Sequence, residues 1–119
     1  KVYVSTYNQT IAQYNLSTTA DITTAGLANE KDLSSGQTNF IFSSMTAKPD
    51  GTKFYVHDSA EGGGDGPPHI SQFDLSTAWD ISTASLEHNI EVTSGGSTNS
   101  GFPGGLGWSS DGERLVVIT

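Results

Sequence analysis

The chain contains no cysteine. That excludes disulfides, thiolate nucleophiles and zinc sites built on thiolates, and it leaves the redox compartment unread. Cations are scarce: five Lys and Arg stand against thirteen Asp and Glu, for a net charge of −8. So few scattered positive charges suit neither a phosphate backbone nor anionic lipid, and no nucleic-acid partner is expected. No apolar run approaches the roughly 20 residues of a membrane helix, so no membrane insertion is expected. Proline occurs four times and methionine once, and charged residues make up only 15% of the chain. What is abundant is small and polar: sixteen Ser, fourteen Thr and fourteen Gly in 119 residues. The length fits one domain.

The chain also repeats itself. Tyr14-Asn15-Leu16-Ser17-Thr18-Thr19-Ala20-Asp21-Ile22 returns as Phe73-Asp74-Leu75-Ser76-Thr77-Ala78-Trp79-Asp80-Ile81, a shift of 59. Pro49-Asp50-Gly51-Thr52-Lys53-Phe54-Tyr55-Val56 returns as Ser110-Asp111-Gly112-Glu113-Arg114-Leu115-Val116-Val117, a shift of 61. Lys1-Val2-Tyr3-Val4 matches Lys53-Phe54-Tyr55-Val56 at a shift of 52, which places a seven-residue insertion between Val56 and Ile70. A period near 60 divides the chain at 1–52 and 53–113, with a third unit beginning at 114–119. A fixed period of this length signals a repeat architecture.

Each unit reads as strands. Lys1–Ser5 and Lys53–His57 are short runs rich in Val, Tyr and Phe. Thr10–Leu16 and His69–Leu75 alternate, with Ile11, Gln13, Ile70 and Gln72 in matching places. Asn39–Ala47 and Gly105–Ser109 are apolar stretches before a turn, and Leu86–Thr93 is a further strand whose partner, Leu27–Leu33, is interrupted by Asn29, Glu30 and Lys31. Asp-Gly at 50–51 and 111–112 marks hairpins; Pro49 presets the first turn dihedral and Gly accepts the positive φ that follows. Named inner, second, third and outer, the strands run second-third-outer, then all four, then inner-second, nine in total. The fold class is therefore all-β, in four-stranded antiparallel units.

The Asp-Gly hairpins, from Pro49 to Val56 and from Ser110 to Val117, resemble the S-P-D-G-x-K-hydrophobic-Y-V hairpin of YVTN and lactonase-like β-propellers. Lys48 stands where that pattern has Ser, and Ser110 where it has Pro. Tyr14–Ile22 and Phe73–Ile81 resemble the Y-D-L-S-T-A-W-D-I element of long-repeat propellers in marine bacterial and phage proteins. The resemblance implies β-propeller blades, about two per chain. It says little about activity, since propellers host many functions. Consecutive apolar residues at Val2-Tyr3-Val4 and Phe54-Tyr55-Val56 suit strands covered on both faces. Trp79 and Trp108 are expected between blades, and Phe40, Phe42, Phe73 and Phe102 in the core. Two blades leave two outer faces wet, so the chain is expected to be part of a larger propeller or of a ring-closing homo-oligomer, three chains giving six blades and four giving eight.

The inserted loop, His57 to His69, collects His57, Asp58, Glu61, Asp65 and His69 and is the candidate ligand or partner loop. Its spacing matches neither an EF-hand nor H-E-x-x-H, so no metal or cofactor is assigned. Asp21 and Asp80 recur and are read as turn caps rather than a catalytic carboxylate pair. No G-x-S-x-G elbow is present, and no catalytic residue is assigned. Gly101–Gly107 precedes no helix and is read as a close approach of the inner strand to the propeller axis rather than a phosphate loop. The expected function is a non-enzymatic propeller module that binds protein or glycan at an extracellular, cell or virion surface. The alternative is a fragment of a propeller hydrolase or lyase whose site lies in other blades.

Overall fold

The computed structural model describes every residue except 7, 35–39, 61–67, 93–104 and 119. Nine strands are described: β1 (Val2–Ser5), β2 (Thr10–Leu16), β3 (Ala25–Asp32), β4 (Phe40–Ala47), β5 (Lys53–Ala60), β6 (His69–Leu75), β7 (Ala84–Glu91), β8 (Gly105–Trp108) and β9 (Leu115–Ile118). They form three antiparallel sheets, ordered β1-β2-β3, β4-β5-β6-β7 and β8-β9. No sheet closes on itself among the described residues. The all-β class and the strand sequence follow the reading of the repeat.

The sheets obey one plan. β2 pairs β3 with Gln13 opposite Asn29 and Tyr14 opposite Leu27, and a bulge falls between Gln13 and Tyr14. β6 pairs β7 with Gln72 opposite His88 and Phe73 opposite Leu86, and its bulge falls between Gln72 and Phe73, 59 residues later. The two Asp-Gly hairpins also match. Gly51 N–H donates to the Lys48 carbonyl at 2.8 Å, and Gly112 N–H to the Ser109 carbonyl at 2.9 Å. Both glycines have positive φ, +74° and +72°. Asp50 Oδ1 accepts from Thr52 N at 3.0 Å, and Asp111 Oδ1 accepts from Glu113 N at 3.0 Å. Each Asx bond satisfies a backbone donor that the ladder leaves open.

A single 3-10 turn joins the third strand to the outer one in each unit, at Ile22–Thr24 and Ile81–Thr83. Asp21 and Asp80 cap these turns: Oδ1 accepts from Thr23 N at 3.0 Å and from Ser82 N at 3.0 Å. These bonds hold both carboxyls below the ordinary carboxylate range, chiefly through the Thr23 and Ser82 side chains. The turn-cap reading therefore describes both residues. Ala20 and Trp79, just before the caps, have φ of +60° and +64°. Left-handed backbone is unusual at non-glycine residues, and its recurrence shows that the turn geometry dictates it.

The core lies between the first two sheets. Ile11, Leu33, Phe42, Phe54, Val56, Phe73, Leu75, Ile81 and Ala84 form one buried cluster, with Tyr3, Met45 and Ala47 packed against it. The Tyr3 and Phe54 rings lie 5.2 Å apart, within the range where aromatic pairs add to their area burial. β1 packs on β4, and β4 in turn on β8. Phe42 and Phe73 are core residues as expected; the Phe40 side chain and Phe102 lie outside the described residues. Double coverage holds for Phe54, Tyr55 and Val56, all buried, but not for β1, where Val4 is 44% exposed. β5 belongs to the middle sheet and has a sheet on either side; β1 has one. Trp108 lies between sheets, edge-on to Tyr55 at 4.8 Å, whereas Trp79 is 37% exposed. β8 contains Gly105 and Gly107, but a Cβ at Gly107 would meet nothing within 4 Å, and one at Gly105 only Ile118 at 3.9 Å. These two positions show no close approach; Gly101–Gly104 lie outside the described residues.

Candidate functional site

Two places in the described structure gather polar chemistry. The first is the base of the inserted loop. Of the candidate loop from His57 to His69, both end residues lie in strands, as the runs Lys53–His57 and His69–Leu75 predict, but β5 runs on to Ala60, so Asp58 is a strand residue as well. The ladder continues past its length in the first unit because residues here still pair: His57 lies opposite Ile70, and Asp58 opposite His69. In the first unit the positions equivalent to Asp58 and His69 hold Thr6 and Thr10, where Thr6 N donates to the Thr10 carbonyl at 2.9 Å. The second unit thus puts a carboxylate and an imidazole where the first has two hydroxyls. Glu61 and Asp65 lie outside the described residues.

Asp58 Oδ1 accepts from His69 N at 3.1 Å, and His69 Nδ1 stands 3.6 Å from the same oxygen. Asp58 is buried, and His57 beside it is fully buried. Burial pushes the Asp58 carboxyl up to about 6, against the pull of the His69 backbone bond and imidazole. Burial likewise lowers the His57 imidazole, since desolvation disfavours its cation. No group of three metal-ligating side chains occurs among the described residues. The Asp58 carboxyl, raised to about 6, can hold or release a proton near neutral pH, a property that clusters at functional sites.

A pH dependence follows. The rise from the ordinary 3.8 to about 6 corresponds to about 3 kcal/mol of preference for the neutral acid. Below pH 4 both folded and unfolded chains carry this proton. Between pH 4 and 6 the unfolded chain loses it and the folded chain keeps it, so stability falls as pH rises. Above pH 6 the loss is complete. Asp58→Asn keeps the acceptor for His69 N and removes the charge. Urea melts should show the variant more stable at pH 7 by up to about 3 kcal/mol, with the gap closing by pH 4. A gap that does not change with pH contradicts the buried-acid assignment. His57 acts in the opposite sense, its lowered value weakening the fold as pH drops below 6.5, and it cancels in the comparison.

The second place is a cleft of about 340 Å³ between the two Asp-Gly hairpins. Lys48, Pro49 and Asp50 line it from one turn, and Ser110, Asp111 and Gly112 from the other, with Tyr55 and Trp108 between. Because the same hairpin occurs in neighbouring sheets, two copies of one turn face a shared space. Lys48 Nζ pairs with Asp50 at 2.7 Å. That contact and the Thr52 bonds hold the Asp50 carboxyl well below the usual range. The Ser109 hydroxyl and Glu113 N lower Asp111 in the same way. Both carboxylates are therefore ionised throughout the neutral range, as acceptors rather than proton carriers. Carboxylates, a hydroxyl, an ammonium and two aromatic rings in one cleft suit a polar ligand with an apolar face.

Sequence reasoning identified the inserted loop and passed over this cleft. The signal for it was present: two copies of one Asp-Gly turn in adjacent units must lie side by side if the units stack. Compared with family models, curated proteins and solved structures, the chain matches none.

Proposed function

We propose that the chain is a β-propeller repeat module that binds protein or glycan, without catalysis, at an extracellular, cell or virion surface. The observation that carries this reading is the repeated plan. The first two sheets share register, bulge position and capped turn, the second and third share the Asp-Gly hairpin, and strands of successive sheets lie in contact. Tandem four-stranded units of this kind are the parts of a propeller. Stacking brings equivalent hairpins together, and the cleft between them offers the ligand groups described above.

The test is a glycan array and a surface-protein panel probed with the chain. The double variant Asp50→Asn, Asp111→Asn should weaken any binding by about tenfold or more, as loss of charge-assisted bonds requires. Binding that ignores both carboxylates rejects the cleft. Binding abolished by deleting residues 61–67 moves the site to the inserted loop. The perturbed Asp58 beside His69 favours one second reading, a propeller hydrolase or lyase. Turnover of a substrate that Asp58→Asn abolishes establishes that reading and removes the non-enzymatic one.

A further inference from the structure

The first and second sheets are joined by a set of polar contacts that converge on one turn. Lys1 Nζ and the Tyr3 hydroxyl both donate to the Trp79 carbonyl, at 2.9 and 2.8 Å. Ile81 N–H donates to Oε1 of the buried Gln13 at 2.9 Å. Asn29 Nδ2 donates to Asp80 Oδ1 at 3.0 Å. Three consecutive residues of the turn, Trp79 to Ile81, are thus held by β1, β2 and β3 of the preceding unit. Ile81 is the apolar plug, 0% exposed.

The second sheet carries the same holding groups. The repeat places Lys53 where the first sheet has Lys1, Tyr55 where it has Tyr3, and Gln72 where it has Gln13. Among the described residues, no capped turn bonds to them. Lys53 pairs with Asp74 and Glu87, and Gln72 Nε2 donates to Glu87. A cleft of about 210 Å³ opens beside them, lined by Tyr55, Gln72, His88, Ile90, Trp108 and Leu115. β9 borders it as the second strand of the third sheet, with no strand on its far edge among the described residues. Val116 and Ile118 of β9 are 54% and 62% exposed. In the second unit the position next to β5, the counterpart of β9, is filled by β6, which leads into the Trp79–Ile81 turn.

We propose that the β9 edge and the Lys53–Tyr55–Gln72 face form one docking site. Its occupant is a strand-and-turn segment with the chemistry of residues 69–83, an alternating strand ending in an Asp-capped turn, supplied by a further repeat unit. The strand adds to the free edge of β9 by main-chain bonding. The turn then enters the cleft, its carbonyl taking Lys53 and Tyr55 and its first helical N–H taking Gln72. The proposal extends the interface already seen between the first two sheets. It rests on the stacked-repeat half of the function proposed above and not on the identity of any surface ligand.

The probe is a synthetic peptide of residues 69–83 titrated into the isotope-labelled full chain. Amide shifts should move along β9 and at Lys53, Tyr55 and Gln72. A peptide carrying Ile81→Ala, and separately the chain variant Gln72→Ala, should each bind about tenfold more weakly, as loss of a central anchor requires. Light scattering reports whether the site is filled by a second chain: self-association that the peptide competes away supports the site. Absence of binding, equal binding of a scrambled peptide, or shifts confined to the first sheet overturns it. Loss of glycan or protein binding at the hairpin cleft with peptide docking intact rejects the surface ligand alone.

Discussion

Ile81→Ala should lower the free energy of unfolding by about 3 kcal/mol, while Ile22→Ala should leave it within about 0.5 kcal/mol. The two residues occupy one position of the repeat and follow the same capping aspartate. Their surroundings differ completely: Ile81 is 0% exposed and Ile22 is 74% exposed. Ile81 lies under β2 and β3 of the preceding sheet, where its loss leaves a cavity among Ile11, Phe54 and their neighbours. Among the described residues, no sheet covers Ile22 as the first sheet covers Ile81. Local propensity and capping are common to both sites, so they cancel, and the difference measures inter-sheet burial. Denaturant midpoints with an unchanged slope would give it directly. Equal effects at the two positions contradict the stacking.

The hairpin glycines give a second matched pair. Gly51→Ala should cost about 3 kcal/mol and Gly112→Ala about 1 kcal/mol. Both residues have positive φ, so each alanine meets the left-handed penalty. Only at Gly51 does the new methyl also run into a neighbour, the indole ring of Trp79; at Gly112 nothing lies within 4 Å. The Trp79 backbone is fixed, its N–H donating to the Gly51 carbonyl at 2.9 Å and its carbonyl receiving Lys1 and Tyr3, so the indole can make room only by leaving its rotamer over the hairpin. The Gly51 hairpin is therefore joined to the next turn of its own sheet and, through it, to the preceding sheet. Thermal melts of the two variants separate conformational strain, present in both, from overpacking, present in one.

Much of the fold was legible because strands and hairpins announce themselves locally. Pro49-Asp50-Gly51 and Ser110-Asp111-Gly112 fixed two turns, and the spacing of the duplicated segments fixed the strand sequence. The outer strands were harder. β3 reads Ala-Gly-Leu-Ala-Asn-Glu-Lys-Asp and is mostly exposed, so hydrophobic patterning has little to act on; its hydrogen bonds to β2 hold it instead. β5 outruns the apolar stretch that ends at His57, because polar Asp58 still pairs with His69 in the ladder. Val4 was read as covered from its apolar neighbours alone, whereas coverage depends on which sheets flank the strand.

The site residues show the same division. The caps that Asp21 and Asp80 make lie within their own turns, so sequence sufficed for them; the Asn29 contact that Asp80 also accepts from the preceding sheet is not local and was not legible. Gln13 acts across 68 positions on Ile81, and only its place as an amide within an apolar alternation hinted at a buried partner. The left-handed backbone at Ala20 and Trp79 left no mark in the sequence, since neither is Gly or Asn.

Amide hydrogen exchange on the intact chain tests most directly whether identical turns differ because one is covered by a preceding sheet. Ile81 N–H, bonded to the buried Gln13 of the preceding sheet, should exchange slowly, near the rate set by global unfolding. The repeat-equivalent amide of Ile22 should exchange close to free-peptide rates. Similar protection of the two, or fast exchange at Ile81, would contradict the stacked-unit account.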